Sequence, residues 1–233
     1  MFIGHYAPAL ALRALPGSPR LATGFVAVQL IDIGFFSLSF AGIEKWAPNP
    51  DIAGFMPVDL YFMPYTHSLL ATAVWASAAA ALIALFMPTG KRLLPAVIIF
   101  SLVLSHWLLD LPVHRHDLGL LGDSEPKLGF ALWDWPLAVI PLELGLFAAG
   151  LAIYVSASTP KNWFGHVTPW IVLLALLAAQ IVNWFTPPAP DTATFSGMGL
   201  LAYAAAVALG LLLDATRSIG TAAPRSLSHQ HDR

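Results

Sequence analysis

The chain contains no cysteine and little charge: of its 233 residues, 10% are Asp, Glu, Lys or Arg. Without thiols there can be no disulfide, thiolate metal site or iron–sulfur cluster, and the redox compartment is left unindicated. So little charge excludes an ordinary soluble domain, in which roughly a quarter of the residues are charged. Eleven Lys and Arg against thirteen Asp and Glu give a net charge of −2, so the composition offers no basic surface for nucleic acid. A cationic start is missing as well. The opening MFIGHYAPALALRAL reaches its first positive residue only at Arg13, whereas a cleaved signal carries its charge ahead of the apolar stretch. Met1 onward is therefore expected to stay in the mature protein. No internal repeat is visible, and no polar stretch is long enough for a soluble domain.

What is present is apolar: 58% of the residues are hydrophobic and the mean hydropathy is +0.72. A spanning helix needs about 20 such residues in a row. Runs of that kind lie at Leu21–Ile43, Pro64–Met87, Leu93–Leu111, Phe130–Ser156, Val167–Pro187 and Phe195–Asp214. A shorter apolar helix, Phe2–Leu15, precedes them. The fold class is all-α: one polytopic membrane helical bundle, residues 1–215, of about six spanning helices plus a short N-terminal one. Residues 216–233, rich in Ser, Arg and His, read as a disordered cytoplasmic tail. Eight cations (Arg13, Arg20, Lys91, Arg92, Lys161, Arg217, Arg225, Arg233) fall on one side and three (Lys45, Arg115, Lys127) on the other, which puts the first set in the cytoplasm. The loops 44–63 and 112–129 then face outward, and function is expected at that face. Small-residue rows (Ala202, Ala206, Gly210; Thr72, Ala76, Ala80) favour close helix packing. Most tryptophans lie near helix ends, as an interfacial belt does.

With loops, run ends and tail set aside, six His, Asp and Glu residues remain inside the apolar segments: His5, Asp32, His67, His106, Asp110 and Glu143. Each has a bland explanation taken alone, such as Asp32 protonated beside Gln29, or His67 satisfied at an interface. As a set they do not. His106 and Asp110, four apart in SHWLLDLPVHRHD, project from one helix face. Three His and two Asp on four segments are the ligand types that zinc, manganese or iron take in a thiol-free site. Buried without a cation, they would leave several desolvated polar groups. Depth argues the other way. At 1.5 Å per residue, His5 and Asp32 lie roughly 12 and 18 Å from the cations Arg13 and Arg20, and His106 and Asp110 roughly 21 and 27 Å from Arg92. Upright helices would spread the set too widely for one ion; tilt, the proline at Pro8 or a two-metal site would close the gap.

The segments FIGHYAPALAL, QLIDIG, GIEKW, PVDLYFMPYTHSLL, SHWLLDLPVHRHDLGL and PKLGFALWDWPLAVIPLE resemble, in order and spacing, the bacterial membrane-bound metal-dependent hydrolases. That family is related to the YdjM-like, LexA-binding inner-membrane hydrolases and is distantly similar to zinc-dependent phospholipase C. The resemblance covers Met1 to Glu143. It implies a bacterial inner-membrane protein whose ligands are His5, Asp32, His67, His106 and Asp110, with zinc first among the metals. The chain departs from the family pattern at His114-Arg115-His116-Asp117 and at Asp134, so a role needing an amide at 134 is in doubt.

Three functions compete. The first is a metal-dependent hydrolase acting on a lipid-like ester or phosphodiester at the outer face, with Glu143 or Asp59 as general base and Arg115 on a phosphate or simply anchoring the interface. The second is a non-catalytic subunit of a larger membrane assembly, its cluster holding a structural metal or a pigment. The third is a proton or metal-ion carrier relaying through Asp32 and Glu143, with Gln180 and Asn183 extending the route. Expected partners are membrane lipids and, for the second reading, other membrane proteins.

Overall fold

A backbone in hydrocarbon must bond to itself, which restricts long apolar runs to helices. The computed structural model describes residues 1–52 and 54–220, and in it the apolar runs are helical. In chain order the elements are a 3-10 turn Ile3–His5, α1 (Tyr6–Arg13), α2 (Leu21–Val28), α3 (Leu30–Phe40), β1 (Lys45–Pro48), β2 (Val58–Phe62), α4 (Leu69–Phe86) and α5 (Leu93–Val113). A 3-10 turn Leu132–Asp134, α6 (Pro136–Ala157), β3 (Ser158–Pro160), α7 (Phe164–Phe185), α8 (Thr192–Thr216) and β4 (Arg217–Ile219) follow. The helices α4 to α8 are five segments long and apolar enough to cross a membrane, and α2 with α3 makes a sixth as a bent pair. The protein is a multi-pass membrane protein of the expected all-α class.

Helix starts are chemically marked. Ser68 caps α4 by accepting from the Ala71 N–H, and Asp191 caps α8 by accepting from Thr194. Pro136 opens α6, where a missing N–H costs nothing.

Two features depart from a row of upright helices, and both bear on the depth problem. The run expected as one span, Leu21–Ile43, breaks at Gln29, and its halves α2 and α3 meet at a 54° bend. The short N-terminal helix lies within the bundle, with Ile3, His5, Tyr6, Ala9 and Leu10 buried. It fits because glycines face it: a Cβ on Gly150 of α6 would lie 2.7 Å from the Ala7 backbone, and one on Gly24 of α2 would lie 3.2 Å from the Ala9 Cβ. Such close approach is how packing holds helices together where lipid supplies no hydrophobic drive.

Antiparallel ribbons flank the bundle. β1 pairs with β2 in the connection from α3 to α4, and β3 pairs with β4 where α6 and α8 end. The second ribbon takes in the first residues of the expected tail: Arg217 is buried, donating to the Gly165 and Ser158 carbonyls at 2.7 Å each. Residues 221–233 of that tail lie outside the described residues.

Candidate metal centre

The residues expected to meet do meet. His5 comes from the first 3-10 turn, Asp32 from the first turn of α3, His67 from the turn before α4, and His106 and Asp110 from α5. Three overlapping groups bring ligand atoms within 4.8 Å of one another: His5–His106–Asp110, Asp32–His67–His106 and His67–Asp110–His114. The bend at Gln29 and the inserted N-terminal helix bring together residues that upright helices would hold at different depths.

His106, His67 and His114 are each oriented by the far nitrogen. Nδ1 of His106 lies 2.7 Å from the carbonyl of Val28, the last residue before the bend. A carbonyl can only accept, so this nitrogen carries the proton and Nε2 faces the cluster. For His67 the same follows in two steps. The Thr66 hydroxyl donates to Glu44 Oε2 at 2.6 Å, so its oxygen accepts from His67 Nδ1 at 2.9 Å. His114 Nδ1 meets Asp117 Oδ1 at 2.9 Å. Three rings of one tautomer thus aim Nε2 inward, each held by a partner of the kind that orients metal-ligating histidines.

The targets of those nitrogens are two carboxylates. Nε2 of His106 is 3.1 Å from Asp110 Oδ2 and 3.4 Å from Asp32 Oδ1. His67 Nε2 is 3.3 Å from Asp32 Oδ1 and 3.9 Å from Asp110 Oδ2, and His114 Nε2 is 3.6 Å from Asp110 Oδ2. Among the described residues, His106 Nε2 finds no hydrogen-bond partner in spite of complete burial. A cation in this cluster would satisfy Asp32, His67 and His106 together, or His67, Asp110 and His114 together. The other carboxylate oxygens are held: Tyr203 donates to Asp32 Oδ2 at 2.7 Å, and the Met1 main-chain nitrogen and His5 Nε2 meet Asp110 Oδ1 at 2.7 and 3.0 Å. His5 therefore stands behind Asp110, its ring stacked on His106 with centroids 4.0 Å apart.

Glu44 closes the outer side of the cluster. Its Oε1 accepts from the Tyr65 and Thr66 N–H groups at 2.8 and 3.0 Å. Burial pushes its carboxyl above the ordinary value, against the opposing pull of the Thr66 hydroxyl.

A cavity of about 330 Å³ reaches the cluster at Asp32, His67 and His114, with Glu143 and Tyr203 also in its wall. Glu143 Oε2 accepts the Phe2 N–H at 2.9 Å. Gln29, which had been a candidate partner for Asp32, donates instead to the Phe2 carbonyl at 3.3 Å. Asp59 is an exposed residue of β2 that accepts from Asn49 at 2.9 Å and is not among the cavity residues. Arg115 is not among them either. It binds Asp134 Oδ1 through Nε and Nη2 at 2.9 and 2.6 Å, and donates to the Phe55 and Met56 carbonyls. The aspartate at 134 is thus the counter-charge that holds Arg115 against the β1–β2 connection.

Sequence reasoning left out His114, Asp117, Glu44 and Tyr203. His114 had a legible signal, because His106, Asp110 and His114 follow one another at intervals of four. The other three act through backbone placement, which spacing does not reveal. No family model matches the chain, and no curated protein or solved structure is similar enough to count as a match.

Proposed function

We propose that this chain is a membrane-embedded, metal-dependent hydrolase of a lipid-like ester or phosphodiester. The observation that carries the reading is the convergence of three inward Nε2 atoms on Asp32 and Asp110 at the inner end of an open cavity. A structural metal site fills its coordination positions with protein, whereas a catalytic one keeps a position for water or substrate. A cavity that touches Asp32, His67 and His114 supports the second kind. The likeness of the motifs to membrane-bound metal-dependent hydrolases agrees with it.

In this reading His67, His106, His114, Asp32 and Asp110 hold a divalent cation, zinc by the softness of a three-imidazole set. Such an ion lowers the pKa of its bound water to about 7 and polarises the scissile group. The rest is the work of side chains. Thr66, Asp117 and the Val28 carbonyl fix the three rings, and Tyr203 and His5 fix the two carboxylates. Glu143, a carboxylate in the cavity wall, receives the proton of the attacking water. Asp59 would act in its place only if the β1–β2 hairpin moved. Arg115 holds the hairpin in register and comes to a substrate phosphate only by leaving Asp134. The cluster end lies outward in the bacterial inner membrane, with Arg13, Lys91 and Arg92 at the cytoplasmic end.

The test is elemental analysis of the purified protein together with a screen of lipid esters and phosphodiesters, with and without chelator. Bound zinc, manganese or iron and a chelator-sensitive turnover are expected, both lost in His106→Ala. Full turnover in His106→Ala would overturn the reading. Stoichiometric metal with no turnover on any lipid would favour a structural or pigment site.

A further inference from the structure

The cavity has a second end. The helices α7 and α8 are tight at the ribbon end, where Gly165 lies against the Thr216 carbonyl and the Thr168 and Thr216 hydroxyls meet at 3.0 Å. Towards the cluster they part, and the cavity lies between Ala179–Thr186 of the one and Phe195–Ala202 of the other. Its walls there belong to the outside of the bundle: Val182 is 54% exposed and Met198 55% exposed. Both stand on helices apolar enough to cross a membrane, so an opening between these helices would face lipid.

The two ends differ in chemistry. The inner end gathers Asp32, His67, His114, Glu143 and Tyr203. From there outward the walls are Phe35, Phe36, Leu60, Phe195 and Met198, with Asn183 and Thr186 beside the α7–α8 turn. The missing side chain at Gly199 lets the Phe36 ring pack directly on α8, its atoms 2.7–2.8 Å from where a Cβ would stand. Small residues on facing helices, Ala179 and Ala202, widen the passage. Apolar walls with a few convergent polar groups are what a ligand site requires, and a bilayer-facing mouth selects which ligands can reach it.

We infer that the gap between α7 and α8 is a lateral slot for one hydrocarbon chain of a membrane lipid, whose polar end then lies at Asp32, His67 and His114. This rests on the hydrolase reading for the role of the polar end, but the slot itself stands on the cavity and its opening. A water-soluble ester would have no use for an apolar passage that opens sideways into the bilayer.

The test uses the full chain in nanodiscs doped with a phosphatidylcholine that carries a photoactivatable diazirine near the end of one acyl chain. Peptide mapping should find labelling concentrated on residues 179–186 and 195–202. Ala202→Trp and, separately, Met198→Trp should reduce it at least tenfold while leaving metal content unchanged. Leu174→Trp, equally lipid-exposed but outside the slot, should label like wild type. Uniform labelling around the bundle, or labelling indifferent to both slot variants, overturns the proposal. Absence of metal from the wild-type protein would sink the hydrolase reading, while labelling confined to the slot would leave the lipid site standing.

Discussion

Replacing Thr66 by valine removes one hydroxyl and almost no volume, yet that hydroxyl serves two groups at once. It accepts a hydrogen bond from His67 Nδ1 and donates one to Glu44 Oε2, all in a residue with no exposed surface. The backbone should hold. Glu44 Oε1 keeps its two main-chain donors, Ser68 keeps the Pro64 carbonyl and Trp107 keeps the His67 carbonyl. What is lost is the tether of the ring. Hydrogen-bond partners that orient a ligating ring are worth about 10- to 100-fold in metal affinity, which is about 1.4–2.8 kcal/mol. An unpaired buried donor costs about 1–3 kcal/mol, so the two figures agree. Thr66→Val should therefore weaken metal binding by about one to two decades, measured by competition with a chromophoric chelator in detergent. The metal-dependent rise in thermal stability should shrink in step, since stabilisation follows the logarithm of ligand concentration over Kd. Thr66→Ser, which restores the hydroxyl, should recover wild-type affinity. Wild-type affinity in Thr66→Val, or a serine variant as weak as the valine one, would refute the tautomer argument for His67.

His114→Ala should lose metal as fully as His106→Ala does, and a metal content equal to wild type would return His114 to a merely structural role. Tyr203→Phe removes one hydrogen bond to Asp32 and should weaken metal binding by about 2- to 10-fold, since a net hydrogen bond contributes about 0.5–1.5 kcal/mol. Gly150→Val drives a side chain into the Ala7 backbone and displaces the N-terminal helix that carries His5. It should cost at least about 1–3 kcal/mol, seen as a lower melting temperature of the detergent-solubilised protein, together with reduced metal uptake.

The sequence by itself determined the class of molecule and most of the chemistry. Runs of some twenty apolar residues allow only helices in lipid, and ionisable groups among them are too costly to lie scattered, so His5, Asp32, His67, His106, Asp110 and Glu143 could be picked out from their places in those runs. The interval of four from His106 to Asp110 also put His114 within reach. Depth could not be read the same way. Counting residues from the nearest cation assumes straight, upright helices, and that assumption fails at Gln29, where a 54° bend redirects Asp32, and at α1, which Gly150 and Gly24 admit into the bundle. Both are matters of how backbones approach one another, and a linear pattern of polar and apolar residues carries no such distance. The same limit explains why Asp59 read as a candidate base and Arg115 as a partner for a phosphate. Their residue types suit the chemistry, but only the packed hairpin commits Asp59 to Asn49 and Arg115 to Asp134. Residue type decides what a side chain is able to do, and tertiary structure decides what it faces.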